Sequence, residues 1–207
     1  MRAIAVFVFL ICGAYSSAAI ASEQGDAKAQ WMRGNSHVVG RGVPQDYAEA
    51  AQWFRLAAEQ GLAEAQFALG ALYNNGQGVP QDYAEAAKWF RLAAEQGDAD
   101  AQTRLGYLYH NGQGVPQDYA AAAKWYRLAA EQGDADAQIQ LAGLYRDGSG
   151  VPQDYVEAHK WANLAVASGT LPDSFRKMRD RIAGRMTPAQ IAEAQKLARE
   201  WMAARSK

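Results

Sequence analysis

Three histidines, His37, His110 and His159, are the first residues to test for acid–base or metal chemistry. No two have the H-x-x-x-H spacing that sets a pair of metal ligands on one helical face. None forms a nucleophile-and-base pair with a neighbour in sequence. Asp98-Ala99-Asp100 has the acid spacing that opens a calcium loop, but the loop's glycine and distal glutamate are missing. The glycines follow helical rather than strand patterns, which excludes a phosphate-cradling loop. The histidines therefore read as polar surface and the acids as helix caps. No catalytic residue, metal site or cofactor is expected.

The charge distribution narrows the partners. Residues 22–169 carry 11 Lys/Arg against 18 Asp/Glu, and residues 170–207 carry 9 against 4. An acidic body does not suit a nucleic-acid backbone. The basic tail reads as a solvated helix that is also able to touch an acidic partner.

The elements that would position any site follow from a period of 36 residues. Gly25, Gly61, Gly97 and Gly133 keep it, as do Pro44, Pro80, Pro116 and Pro152, and Trp53, Trp89, Trp125 and Trp161. A fixed period of this length predicts an all-α solenoid of stacked helix pairs. In the second unit, helix A is expected from Ala63 to Asn75, with Ala65, Leu69 and Leu72 on its apolar face. Gly76 and Gly78 stop it and Pro80 prevents it from resuming. Helix B is expected to start at Asp82, which can cap it, and Glu85 three residues on predicts a capping box. Asp46/Glu49 and Asp154/Glu157 repeat the pair, whereas Asp118 faces Ala121 and keeps only the cap. Gly34, Gly70 and Gly106 occupy one register of helix A, replaced by Ala142 in the fourth copy, which predicts a close helix–helix approach. Gln66, Gln102 and Gln138 are fixed and expected to bond between units.

The two ends should differ. Arg33, Ser36 and His37 replace Leu69, Leu72 and Tyr73, so the first helix A is expected to be a frayed or polar cap. At the other end, Asp173 to Ala183 and a last helix reaching about Ala203 are expected to seal the stack. Thr187-Pro188-Ala189-Gln190 supplies the N-cap signature of that last helix. The chain opens with Arg2, an apolar stretch from Ala3, and Ala19-Ile20-Ala21 before Ser22. That pattern reads as a cleavable signal peptide over 1–21. Its removal takes away Cys12, the single cysteine, so stability must come from packing. No stable membrane insertion is expected after cleavage, and the mature chain is placed in the periplasm or outside the cell.

The units "AAEQGLAEAQFALGALYNNGQGVPQDYAEAAKWFRL" and "AAEQGDADAQTRLGYLYHNGQGVPQDYAAAAKWYRL" resemble the Sel1-like repeat, a relative of the tetratricopeptide repeat. "RMTPAQIAEAQKLAREW" resembles a tail common in bacterial members. The resemblance implies an α/α superhelical solenoid of four repeats over 22–169, the first degenerate, followed by capping helices over 170–207. It also implies a non-enzymatic protein-interaction scaffold or adaptor of the bacterial cell envelope. Some secreted relatives carry a disulfide in each unit, and this chain lacks those cysteines.

If helix A lines the concave face, as in related solenoids, its variable positions form a groove floor for a protein or peptide. Phe67, Ala71 and Asn74 share one face at i, i+4 and i+7. Thr103, Tyr107 and His110 replace them in the next copy, and Ile139, Gly143 and Arg146 in the fourth. Tyr107, His110 and Arg146 lead as contacts. Tyr73, Tyr109 and Tyr145 do not vary and read as framework. A secreted effector binding a host protein is the alternative. An enzyme acting on envelope polymers would need converging acids that the sequence does not show.

Overall fold

The computed structural model describes residues 25–167 and 173–205. The expected leader lies outside them. Ten helices and no strand are present among the described residues. They are α1 (Ala27–Val39), α2 (Tyr47–Glu59), α3 (Ala63–Asn75), α4 (Tyr83–Glu95), α5 (Ala99–Asn111), α6 (Tyr119–Gln132), α7 (Ala135–Asp147), α8 (Tyr155–Ala167), α9 (Asp173–Ala183) and α10 (Pro188–Arg205). The first eight are four helix pairs in tandem, an all-α solenoid fold. The chain divides into two compact units, Met1–Leu92 and Ala93–Lys207, with the division inside α4.

The punctuation works as the sequence implies. Gly76 ends α3 at φ 66°, in the left-handed region where only glycine is unstrained, and its N–H donates to the Leu72 carbonyl. Asp82 caps α4 by accepting from Ala84 N–H at 2.9 Å and Glu85 N–H at 3.0 Å. The capping boxes do not close. The N–H of Asp82 donates to the Tyr73 carbonyl, and that of Asp154 to the Tyr145 carbonyl. With the donor already used by the preceding helix, the glutamates turn elsewhere. Glu85 pairs with Lys88, and Glu157 accepts from Lys160 and from Trp161 Nε1. Asp118, facing Ala121, therefore lacks nothing that the other copies have.

In the first unit, a core of Ala50, Phe54, Ala57, Leu69 and Leu72 lies between α1, α2 and α3. The close approach expected at the helix A glycines is made by an aromatic ring. A Cβ at Gly34 would lie 2.5 Å from the Phe54 ring, and one at Gly70 would lie 2.8 Å from the Phe90 ring. A methyl group there would overpack, which outweighs the roughly 1 kcal/mol that alanine gains in a helix. The helix α1 is a full 13 residues, capped by Asp26 and stopped by Gly40, so it is polar but not frayed. Buried Gln30 and Gly34 anchor it, and Gln60 Nε2 donates to Gln30 Oε1 at 2.8 Å.

In the second unit, α5 to α8 repeat this packing, and α9 and α10 lie on α8. Gly106 faces Tyr126, again with a notional Cβ at 2.8 Å from the ring. Ile182, Ala194 and Ala198 of the C-terminal helices are buried. Trp201 meets Trp161 edge to face at 6.3 Å, and Arg205 donates to the carbonyls of Glu131 and Gln132. The last helix begins with a closed capping box. Thr187 N–H donates to Gln190 Oε1 at 2.9 Å, and Gln190 N–H donates to Thr187 Oγ1 at 3.3 Å.

Candidate functional site

Two sets of invariant polar residues build the framework. Gln66, Gln102 and Gln138 are buried, and each Nε2 donates at 3.1 Å to a carbonyl of the preceding repeat, at Ala58, Ala94 and Ala130. These are the between-unit bonds that the sequence predicts. The second set was missed. Gln45, Gln81, Gln117 and Gln153 each donate to the carbonyl seven residues back, at Val38, Asn74, His110 and Arg146, and to a tyrosine hydroxyl two residues on. The fixed PQDY in all four copies carried that signal. The invariant tyrosines are framework too: Arg55 donates to the Tyr73 hydroxyl and Arg127 to that of Tyr145.

The first unit holds Phe67, Ala71 and Asn74 on α3. Phe67 is half-buried with its ring 5.7 Å from Phe90, so it serves the packing of its own pair. Ala71 is also half-buried, and Asn74 donates to Asn75 Oδ1 at 2.8 Å.

The second unit brings the other six candidates together along α5 and α7, around three recesses. The first, of about 220 Å³, is lined by Asp100, Thr103, Tyr107, Tyr126, Asp134 and Asp136. Thr103 Oγ1 donates to Asp134 Oδ1 at 3.1 Å, which ties neighbouring repeats. Tyr107 is 47% exposed, among the most exposed large apolar residues. Tyr126 is fully buried, and its hydroxyl has no hydrogen-bond partner. Burial, with the Tyr107 phenol beside it, pushes its ionisation far above the ordinary range.

The second recess, of about 370 Å³, is of mixed polarity, lined among others by His110, Tyr119, Gln140, Arg146, Phe175 and Met178. His110 meets Tyr119 edge to face at 5.2 Å, and its Nδ1 is buried without a partner. Here one expectation fails. Ile139 is only 3% exposed and belongs to the core rather than to an open groove floor. Phe175 and Met178 of α9 pack against that core, and the Met178 methyl comes within 3.5 Å of a Cβ placed at Gly143. The helix α9 thus walls the fourth repeat's stripe. The third recess, of about 410 Å³, is basic and lined by Arg146, Asp147, Tyr155, Arg181 and Arg185. Arg146 Nε donates to Asp147 Oδ1 at 2.7 Å, and this bond holds the Asp147 carboxyl below its usual range.

The histidines need a second correction. His159 is not surface but 3% exposed, at the register where Ala51, Ala87 and Ala123 stand in the other copies. Asn163 Nδ2 lies 3.0 Å from its Nδ1, which accepts. Burial, with Arg179 adding to it, lowers its pKa. Among the described residues no group of three or more His, Cys, Asp or Glu is placed to hold a metal, and no helix is long and apolar enough to cross a membrane.

Tandem helix pairs, a small-residue and ring contact in each interior pair, and a variable stripe over a fixed core define an α-helical repeat protein of the scaffold class. Residues 27–62, 63–98, 99–134 and 135–170 each match the Sel1 repeat. The chain belongs to the Sel1 repeat family, whose members are generally protein-interaction scaffolds. Among solved structures it is similar to c5321, a protective antigen present in uropathogenic Escherichia coli strains and displaying an SLR fold. The two are 44% identical with a TM-score of 0.70, over 75% of this chain and 33% of that one. The chain therefore spans about a third of the length of c5321. It is also similar to a Sel1 repeat protein from Oxalobacter formigenes, with 30% identity, a TM-score of 0.68 and 89% of each chain covered. No curated protein gives a significant match.

Proposed function

We propose that this protein is a non-enzymatic scaffold of the bacterial cell envelope, exported by a leader over 1–21 and working in the periplasm or outside the cell. It holds a peptide or protein segment along the α5 and α7 face of the second unit. The observation that carries this reading is the contrast on α5. Leu105, a leucine in three of the four copies, is fully buried, while Tyr107 two residues on varies between copies and stands 47% exposed. A large aromatic freed from the core and set in the wall of an acidic recess is suited to recognition. The acidic body disfavours nucleic acid as the occupant.

The test is crosslinking capture from the native envelope by wild type and by a Tyr107→Ala/Arg146→Ala double variant. The double variant should keep the helical circular-dichroism signal and lose one reproducible partner. Leu105→Ala, in contrast, should lose about 2–5 kcal/mol of stability. Equal capture by wild type and double variant moves the site off this face.

A further inference from the structure

Helix B carries an apolar pair that is covered in one repeat and bare in the others. Trp53/Leu56, Trp89/Leu92, Trp125/Leu128 and Trp161/Leu164 stand at i, i+3, so each pair shares one side of its helix. Leu56, Leu92 and Leu128 are 46%, 44% and 38% exposed, whereas Leu164 is 4% exposed. The difference is α10, which lies on α8 in the fourth repeat. It presents Ala194, Ala198, Trp201 and Arg205 at i, i+4, i+7 and i+11, a single stripe about three turns long. Ala194 and Ala198 are buried, and Trp201 meets Trp161 edge to face. The alanines let the two backbones approach, and the tryptophan supplies contact area. Arg205 reaches one repeat back and donates to the Glu131 and Gln132 carbonyls at the end of α6. Carbonyls in that position lack partners within their own helix and form its negative pole.

The third repeat, in the same compact unit, has the same surface, and no described helix covers its leucine. Lys124 Nζ lies 5.7 Å from the Trp125 ring centre, as Lys160 Nζ lies 4.4 Å from that of Trp161. Glu95 and Gln96 stand one period before Glu131 and Gln132. The bare surface is continuous with the α8–α10 contact, because Arg205 already touches the last turn of α6, just beyond Leu128.

We propose that the Trp125 and Leu128 side of α6 is a second docking surface, separate from the α5 and α7 face, and that it takes an amphipathic helix of a partner protein built like α10. That helix carries two small residues at i and i+4, an aromatic at i+7 and an arginine at i+11. The small residues pack on Leu128, the aromatic meets the Trp125 ring, and the arginine meets Glu95 and Gln96. The α10 stripe is what identifies the occupant. Leucine at this register is not required by its own helix pair, since Leu128 stands largely outside the core, and the same side chain becomes core in the fourth repeat, where a helix covers it.

The probe is α10 itself, supplied in trans as an acetylated and amidated peptide of residues 187–205. A lactam between Lys196 and Glu200, an exposed i, i+4 pair 4.0 Å apart, holds it helical, because a free helix of this length is marginal in water. It is titrated into methyl-labelled full chain, whose own α10 still covers Leu164. The Leu128 methyls and the Trp125 indole should shift while the Leu164 methyls stay in place. Leu128→Glu, at a position already open to water, should keep the thermal midpoint and weaken the peptide at least about tenfold. A peptide carrying Trp201→Ala should weaken by a similar factor. Absent shifts at Leu128, or unaltered affinity with either substitution, would overturn the proposal. Shifts at Leu164 in place of Leu128 overturn it as well, since they mean exchange with the resident α10 and no second surface. Leu128→Glu leaves Tyr107 and Arg146 intact, so partner capture on the α5 and α7 face and peptide binding on α6 stand or fall separately.

Discussion

The third and fourth repeats solve one packing problem with different residues. In the third, Gly106 receives the Tyr126 ring and Ala123 is small. In the fourth, Ala142 faces the register of Ala162, and the lost volume returns one helical turn earlier as buried His159. The tryptophan changes with it. Trp125 is half-buried, whereas Trp161 is buried, hydrogen-bonded to Glu157 and set against Trp201 of α10. A helix pair that must bind another repeat keeps the ball and socket. A helix pair that meets the C-terminal helices turns its bulk toward them. In the third repeat the ring carries a hydroxyl that is buried without a hydrogen-bond partner.

The strongest way to break the contrast is to convert the third repeat to the pattern of the fourth. Tyr126→Ala should lose about 3–5 kcal/mol, and Gly106→Ala alone about 1–3 kcal/mol by overpacking. In the Tyr126→Ala background, Gly106→Ala should become neutral or stabilising, since the clash is gone and alanine favours the helix. Urea denaturation of the double-mutant cycle measures this coupling, and additive losses would mean that the ring and the glycine are not one device. Next in size, Asp118→Ala should lose about 1 kcal/mol, as should Asp154→Ala, because both make the same two bonds. A distinctly larger loss at Asp154, read from urea midpoints, would restore a role for the Glu157 half of the box. A smaller effect, of slope rather than size, concerns His159. Its folded pKa lies below the unfolded value near 6.5, so the unfolded chain binds the proton first. Stability should be fully present above that pH and decline as pH falls below it. His159→Ala should flatten the slope between pH 7 and pH 5, and an unchanged slope would assign it to other groups.

Most of the helical order was legible because its signals are local. Glycine, proline and aspartate punctuate each unit, and α3 runs over Ala63–Asn75 as the pattern requires. The identity of the contact at Gly34, Gly70 and Gly106 was half legible. The register showed that something came close, but which residue filled it depends on how helix B rolls. The candidate site was less readable, for a physical reason. Variation between copies shows that a position is released from the repeat, not that it faces solvent. Ile139 belongs to a core against which Phe175 and Met178 pack, and their helix, α9, lies outside the period. His159 misleads for the same reason: a polar residue replacing alanine looked like surface until the core around it was seen. The capping boxes failed at a donor that sequence spacing cannot track, the Asp N–H already given to the previous helix.

The loop glycines set a rule for how such a chain can change length. A Cβ at Gly78 would lie 2.1 Å from the Tyr47 carbonyl carbon, and one at Gly150 would lie 2.2 Å from that of Tyr119. Bare backbone thus rests on the start of the helix one repeat earlier, and the junction has no slack for a slipped residue. Excising one loop residue shifts every later junction out of step, whereas excising 36 together rejoins matching surfaces. The gene can be shortened or lengthened by whole repeats far more safely than by single codons, as a zip fastener loses whole teeth and still closes.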